Sequence, residues 1–143
     1  MGNPTNTQFA VGVHMLTLLA NDPTGPLSSE EMAASANANP VYVRRVLGRL
    51  REAGLVSSRP GVKGGWVLLR DPARITLGDV WRAIQRDDPI LGLHEANPSC
   101  EVGREIQGAL GALDRRAASA VETELDRTTV RDLIPAAVAV QLS

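Results

Sequence analysis

Tyr42, Arg45 and Arg49 follow one another at intervals of three and four residues, the spacing that gathers side chains on one face of a helix. Such a basic, aromatic-tipped face is suited to phosphate oxygens and to the acceptor edges of bases. Two further groups invite chemistry. The single cysteine, Cys100, is a nucleophile and redox centre wherever its thiolate is stabilised. His14 and His94 are, with Cys100, the only imidazole and thiolate donors, and those donors suit zinc or iron.

The elements that must position these residues are legible around them. Asn39 is placed to cap a helix that opens with Pro40, whose missing N–H costs nothing there, and Gly54 after Glu52-Ala53 supplies a left-handed stop. Val43, Val46, Leu47 and Leu50 recur at helical spacing and form the buried stripe, leaving the basic face free. Leu55–Ser58 and Trp66–Leu69 read as two strands joined by Arg59-Pro60-Gly61-Val62-Lys63-Gly64-Gly65, a tip carrying cations and glycines. Upstream, Phe9–Ala20 is a nearly all-round apolar helix, fit for a core or a subunit interface, ended by Asn21–Pro26. Ser28 with Glu31 forms a capping box for a second helix whose inward side is Met32, Ala33 and Ala36. The two helices on either side of Asn37-Ala38-Asn39 make a helix-turn-helix whose second member is the reader. Thr76 and Asp79 cap a later helix that buries Leu77, Val80, Trp81 and Ile84. The fold class is mostly α with a small β wing: a winged helix-turn-helix over residues 1–88, then a sensor loop and long dimerisation helix over 89–143.

Charge sorts the same way. The net charge of −1 hides a basic middle: residues 41–86 carry ten Lys and Arg against three acids, whereas residues 87–143 carry ten acids against five Arg. A polyanion-binding surface explains that segregation; a merely solvated helix face is the alternative. There is no apolar run of membrane length, and Met1-Gly2-Asn3-Pro4 lacks a basic leader region, so a cytoplasmic protein without membrane contact is expected. One cysteine excludes an intrachain disulfide.

Ile106, Leu110, Leu113, Ala117, Ala120 or Val121, and Leu125 keep helical spacing from Glu101 to Asp126, about 39 Å of helix at 1.5 Å per residue. A stripe longer than the module beside it calls for a second copy of the chain, a homodimer; folding back on its own module is the alternative. Asn97 is placed to cap this helix with Pro98 at its first position, setting Cys100 in the first turn. Unpaired N–H groups there favour a thiolate, while Glu95 and Glu101 oppose it. An inert buried thiol is the competing reading. Zinc finds no paired spacing of Cys or His, so no metal or cofactor is expected, an intersubunit metal or iron–sulfur site being the exception. No base-and-orienter set accompanies Cys100, so no catalytic residue is assigned and an enzyme is not expected.

Taken together, Phe9-Ala10, Asn39-Pro40-Val41-Tyr42-Val43, Leu50-Arg51-Glu52-Ala53-Gly54-Leu55-Val56, Gly64-Gly65-Trp66-Val67-Leu68 and Ile75-Thr76-Leu77-Gly78-Asp79-Val80 resemble the Rrf2 family of bacterial winged-helix transcriptional regulators. The likeness spans nearly the whole chain. It departs from the best-known branch in lacking a three-cysteine cluster and in a wing one residue longer. It is similar to the single-cysteine branch through His94-Glu95-Ala96-Asn97-Pro98-Ser99-Cys100-Glu101-Val102-Gly103. The resemblance implies a homodimer on a double-stranded DNA operator, contacted through Ser28, Asn39, Pro40, Val41, Tyr42, Arg44, Arg45, Arg49, Arg59, Lys63, Gly64 and Gly65. The expected function is a repressor whose operator binding follows the redox or electrophile state of Cys100, with His14 and His94 in the sensor set. A regulator with an intersubunit metal site, a winged helix used for protein contacts and a thiol-dependent enzyme are the alternatives.

Overall fold

The structure is a computed structural model that describes residues 4–21 and 25–134; the apolar tail Ala136–Leu142 and the middle of the turn after the first helix lie outside the described residues. In chain order come α1 (Pro4–Asn21), α2 (Ser29–Ala36), α3 (Pro40–Glu52), β1 (Val56–Arg59), β2 (Gly65–Leu68), a single 3-10 turn at Pro72–Arg74, α4 (Leu77–Gln85), α5 (Glu101–Leu125) and a second 3-10 turn at Arg131–Leu133. The fold is mostly helical, with one small antiparallel sheet.

The core is built by α1, α3 and α4 around Met15, Leu16, Val43, Val46, Leu47, Leu50, Val80 and Ile84, all fully buried. Phe9 meets Trp81 edge to face, the ring centroids 5.5 Å apart. Both capping boxes form: Ser28 Oγ accepts from Glu31 N–H at 3.0 Å and Thr76 Oγ1 from Asp79 N–H at 3.0 Å, with each carboxylate answering the cap residue's own N–H. Leu77 is half-buried and Ala83 buried, a shift from the expected face; Leu77 is the first helical residue, and its N–H is taken by Thr128 O.

The strands lie one residue from where periodicity put them. Leu55 N–H donates to Leu50 O and closes α3, so pairing starts at Val56, opposite Leu68, and ends with Arg59 opposite Gly65. A third strand-like contact completes the wing root: Leu27 and Trp66 exchange both backbone hydrogen bonds. Gly65 makes that possible, since at φ +142° a Cβ there would stand 2.6 Å from Leu27 O.

The long helix is fastened to this module at its C-terminal end. Asp126 accepts from Thr76 Oγ1 at 2.8 Å and from Arg82 Nη2 at 2.7 Å, an approach that Gly78 permits because a Cβ there would lie 1.8 Å from Asp126 Oδ1. Beyond it, Thr129 bridges to Thr76 and Val130 enters the main core, fully buried. Residues on both sides of position 88 therefore share one core. Near its middle α5 buries Asp114, whose Oδ1 accepts from the N–H groups of Ile90 and Leu91 at 2.9 and 2.7 Å, so the segment leaving α4 is tied to the helix that follows.

Candidate nucleic-acid interface

The start of α3 is fixed by Asn39, whose Oδ1 accepts from Val41 N–H at 2.8 Å, with Pro40 at the first helical position. Burial of Val43, Val46, Leu47 and Leu50 turns Val41, Arg44 and Arg45 outward, Val41 being 57% exposed. Arg45 makes no ion pair or side-chain hydrogen bond among the described residues, which leaves its guanidinium to solvent. Arg44 is partly engaged, 3.2 Å from Glu30 Oε1 and 3.3 Å from Ser29 Oγ.

Two of the expected readers make contacts within the chain. Tyr42 packs against the core and its hydroxyl is buried without a partner among the described residues; burial pushes its ionisation above the ordinary tyrosine value, against the opposing charge of Arg45. Arg49 donates to Ile84 O at 2.7 Å and so caps the end of α4. Positions 42 and 49 share one flank of α3, and both α1 and α4 pack against that helix. The outward face is narrower than the sequence spacing suggests.

The wing brings the second group of cations near the start of α2. A cleft of about 440 Å³ between the wing tip and that helix is lined by Ser28, Glu31, Val62, Lys63 and Gly64, among others, and Arg59 of the wing is exposed. Ser28 and Asn39 both spend an oxygen on capping and keep their protons for an acceptor. Gly64 sits where a Cβ would overlap Arg59 O. Arg51 lies over the Trp66 ring, 5.5 Å from its centroid, and ties the end of α3 to the wing root, a contact with no periodic signal in the chain.

Cys100 is exposed in the single chain. The helix starts three residues later than expected, at Glu101: Cys100 is itself the cap with Sγ accepting from Gly103 N–H at 3.3 Å, and Asn97 instead turns the chain before it by accepting from Ser99 N–H. His94 gives its backbone carbonyl to Gln107. His14 lies on α1 with Nε2 3.3 Å from Ser35 Oγ. Along α5, Val102, Ile106 and Leu113 are exposed while Leu110, Ala117, Val121 and Leu125 are half-buried, so its own module covers the apolar stripe only in part.

An outward basic helix face, a cationic wing and a partly uncovered helix are the parts of a DNA-binding regulator, and comparison with known proteins decides the family. The Rrf2 family model, described as an iron-dependent transcriptional regulator, matches residues 5–136. The chain belongs to the Rrf2 family. Among Rrf2 relatives it is 40% identical over 130 residues to YwnA of Bacillus subtilis (strain 168), named an HTH-type transcriptional regulator, covering 90% of this chain and 96% of that one. It is 34% identical to CymR of the same organism over 119 residues, 83% of this chain and 80% of that one. The solved structure of B. subtilis CymR, called the global cysteine regulator, superposes with a TM-score of 0.64 at 32% identity over 90% of this chain and 93% of that one. The chain is thus an Rrf2-family helix-turn-helix transcriptional regulator, and these relatives are regulators of transcription. No described helix is long and apolar enough to cross a membrane. The family's iron is a separate matter. Among the described residues no three His, Cys, Asp or Glu converge, and His14 on α1 lies 3.3 Å from Ser35 Oγ on α2, so the described donors of one chain do not fit an iron centre.

Proposed function

We propose that the chain is a homodimeric repressor that lays one α3 in the major groove of each half of a pseudo-palindromic operator and sets its wings on the adjacent backbone or minor groove. The observation that carries this reading is the unengaged Arg45 on the outward face of α3, near the exposed Val41, together with the exposed wing cations Arg59 and Lys63. A guanidinium placed there reads a guanine edge, whereas wing cations meet phosphates that carry no sequence. Half-sites lie about one helical turn apart, or a multiple of that. The experiment is nuclease protection of the DNA next to the coding region, compared between the parent, Arg45→Ala and Lys63→Ala. Arg45→Ala relaxes discrimination among sites, while Lys63→Ala weakens every sequence and flattens the salt dependence. A change in base preference from Lys63→Ala with an unchanged salt slope would assign the wing wrongly.

The partly uncovered stripe of α5 supports the dimer, and Cys100 supports a thiol input. Its exposed sulfur caps the helix that forms the proposed interface, so oxidation or alkylation removes that cap and adds bulk at the helix start. The similarity to Staphylococcus aureus CymR solved in an oxidized form, TM-score 0.64 at 28% identity over 90% of this chain and 93% of that one, is consistent with this input. Two readers must fit one DNA repeat together, so a small change in their spacing lowers affinity. Cys100→Ser binds operator under reduction and stays bound after diamide or quinone, whereas the parent releases; equal release by both proteins returns Cys100 to a structural role.

A further inference from the structure

At the root of the wing, on the side of the sheet edge formed by Leu27 and β2, a cleft of about 390 Å³ is lined by Arg59, Arg70, Arg131, Trp66, Leu19 and Pro72, among others, and none of the described residues that line it is a carboxylate. Three arginines from three parts of the chain line it: the wing, the segment after β2 and the turn that follows α5. Arg70 is shared with Asp79 at 3.6 Å. Arg59 and Arg131 have no ion pair or side-chain hydrogen bond among the described residues. Like charges gathered in one concavity repel unless an anion joins them, and the planar fork of arginine matches a carboxylate or phosphate in bidentate fashion. The volume falls in the range of small-molecule sites, and the lining joins apolar walls to a few polar groups.

We infer that this cleft binds a small anion carrying carboxylate or phosphate groups, and that occupancy opposes operator binding by drawing Arg59 and the wing root toward Arg131. The first half stands on the cleft alone; the second rests on the proposed role of Arg59 at DNA. Linkage makes the coupling reciprocal, so operator weakens the anion by the same factor. The site is separate from Cys100 and from the reading face of α3.

The test is calorimetric titration of the full chain without DNA, using citrate and inorganic phosphate at constant ionic strength set with KCl, followed by operator titration with and without citrate. The parent binds at least one of the two anions; Arg131→Gln, and independently Arg70→Gln, weaken that binding about tenfold or more, the scale of a lost charged hydrogen bond. Citrate lowers the parent's operator affinity beyond the KCl control, and Arg131→Gln binds operator as the parent does but ignores citrate. Equal titration of parent and both variants overturns the site. Anion binding that is lost in the variants but leaves operator affinity unmoved keeps the site and overturns the coupling. Loss of operator binding in Arg131→Gln, with the thermal midpoint retained, overturns the small-molecule assignment and gives the cleft to the DNA backbone.

Discussion

Arg45 and Arg49 are one helical turn apart and chemically identical, yet the structure gives them opposite tasks. Arg45 faces solvent; Arg49 closes the last turn of α4 through Ile84 O. Arg45→Ala therefore leaves the urea midpoint unchanged and reduces discrimination at a contacted base pair by about 1–3 kcal/mol. Arg49→Ala lowers the urea midpoint, by about 1–2 kcal/mol in unfolding free energy, because it removes a charge-assisted bond to a helix-end carbonyl. Operator titrations and urea unfolding of the two variants separate these effects. The sequence placed positions 42, 45 and 49 on one stripe, which is correct as geometry. What spacing alone does not contain is how far a neighbouring helix overlaps that stripe, and the contact of α4 on α3 takes its outer edge.

At the scale of elements, the local signals were the most legible ones. Ser28 with Glu31, Thr76 with Asp79, and Asn39 with Pro40 each mark a helix start because the cap and its partner lie within four residues. Pairings between distant segments left no such trace: the Leu27–Trp66 and Thr76–Thr129 bridges are single contacts without periodicity, and Asp114 reads as a surface acid until its two backbone donors are seen. Asp114→Ala strands the N–H groups of Ile90 and Leu91 and lowers stability by about 1–3 kcal/mol, measured by urea unfolding. Asp126 carries a pH signature. The hydrogen bond from Arg82, and then that from Thr76, hold its ionisation below the ordinary aspartate range. A carboxyl depressed on folding stabilises the fold above its unfolded value of about 4 and loses that contribution as pH falls through the lower folded value. Arg82, raised by the same pairing, stays charged throughout that window. The stability difference between the parent and Asp126→Asn is therefore constant from pH 5 to 7 and shrinks below about pH 4. Both side chains are about two-fifths exposed, so salt weakens the effect. A difference that instead grows on acidification would remove Asp126 from the attachment of α5.

For the whole molecule, the pieces sum to an asymmetry: one end of α5 is locked to the winged module through Asp126 and Val130, while Val102, Ile106 and Leu113 remain in solvent. Apolar side chains spaced along one helix face, at 45–62% exposure, are the surface a second copy covers. The length of the helix was readable from its stripe; its partly uncovered state was not, because an exposed and a self-covered stripe have the same spacing. The dimer also sets the geometry of reading, since two α3 helices reach two half-sites only when α5 fixes their separation. The most direct measurement is sedimentation together with operator titration on the parent and on Ile106→Glu/Leu113→Glu, with the circular dichroism spectrum confirming that the winged module stays folded. The parent sediments as a dimer at micromolar concentration and binds operator, and the double variant sediments as a monomer that keeps only salt-sensitive, non-specific DNA binding. A parent that is monomeric under those conditions, or a monomeric variant with undiminished operator affinity, would contradict the account.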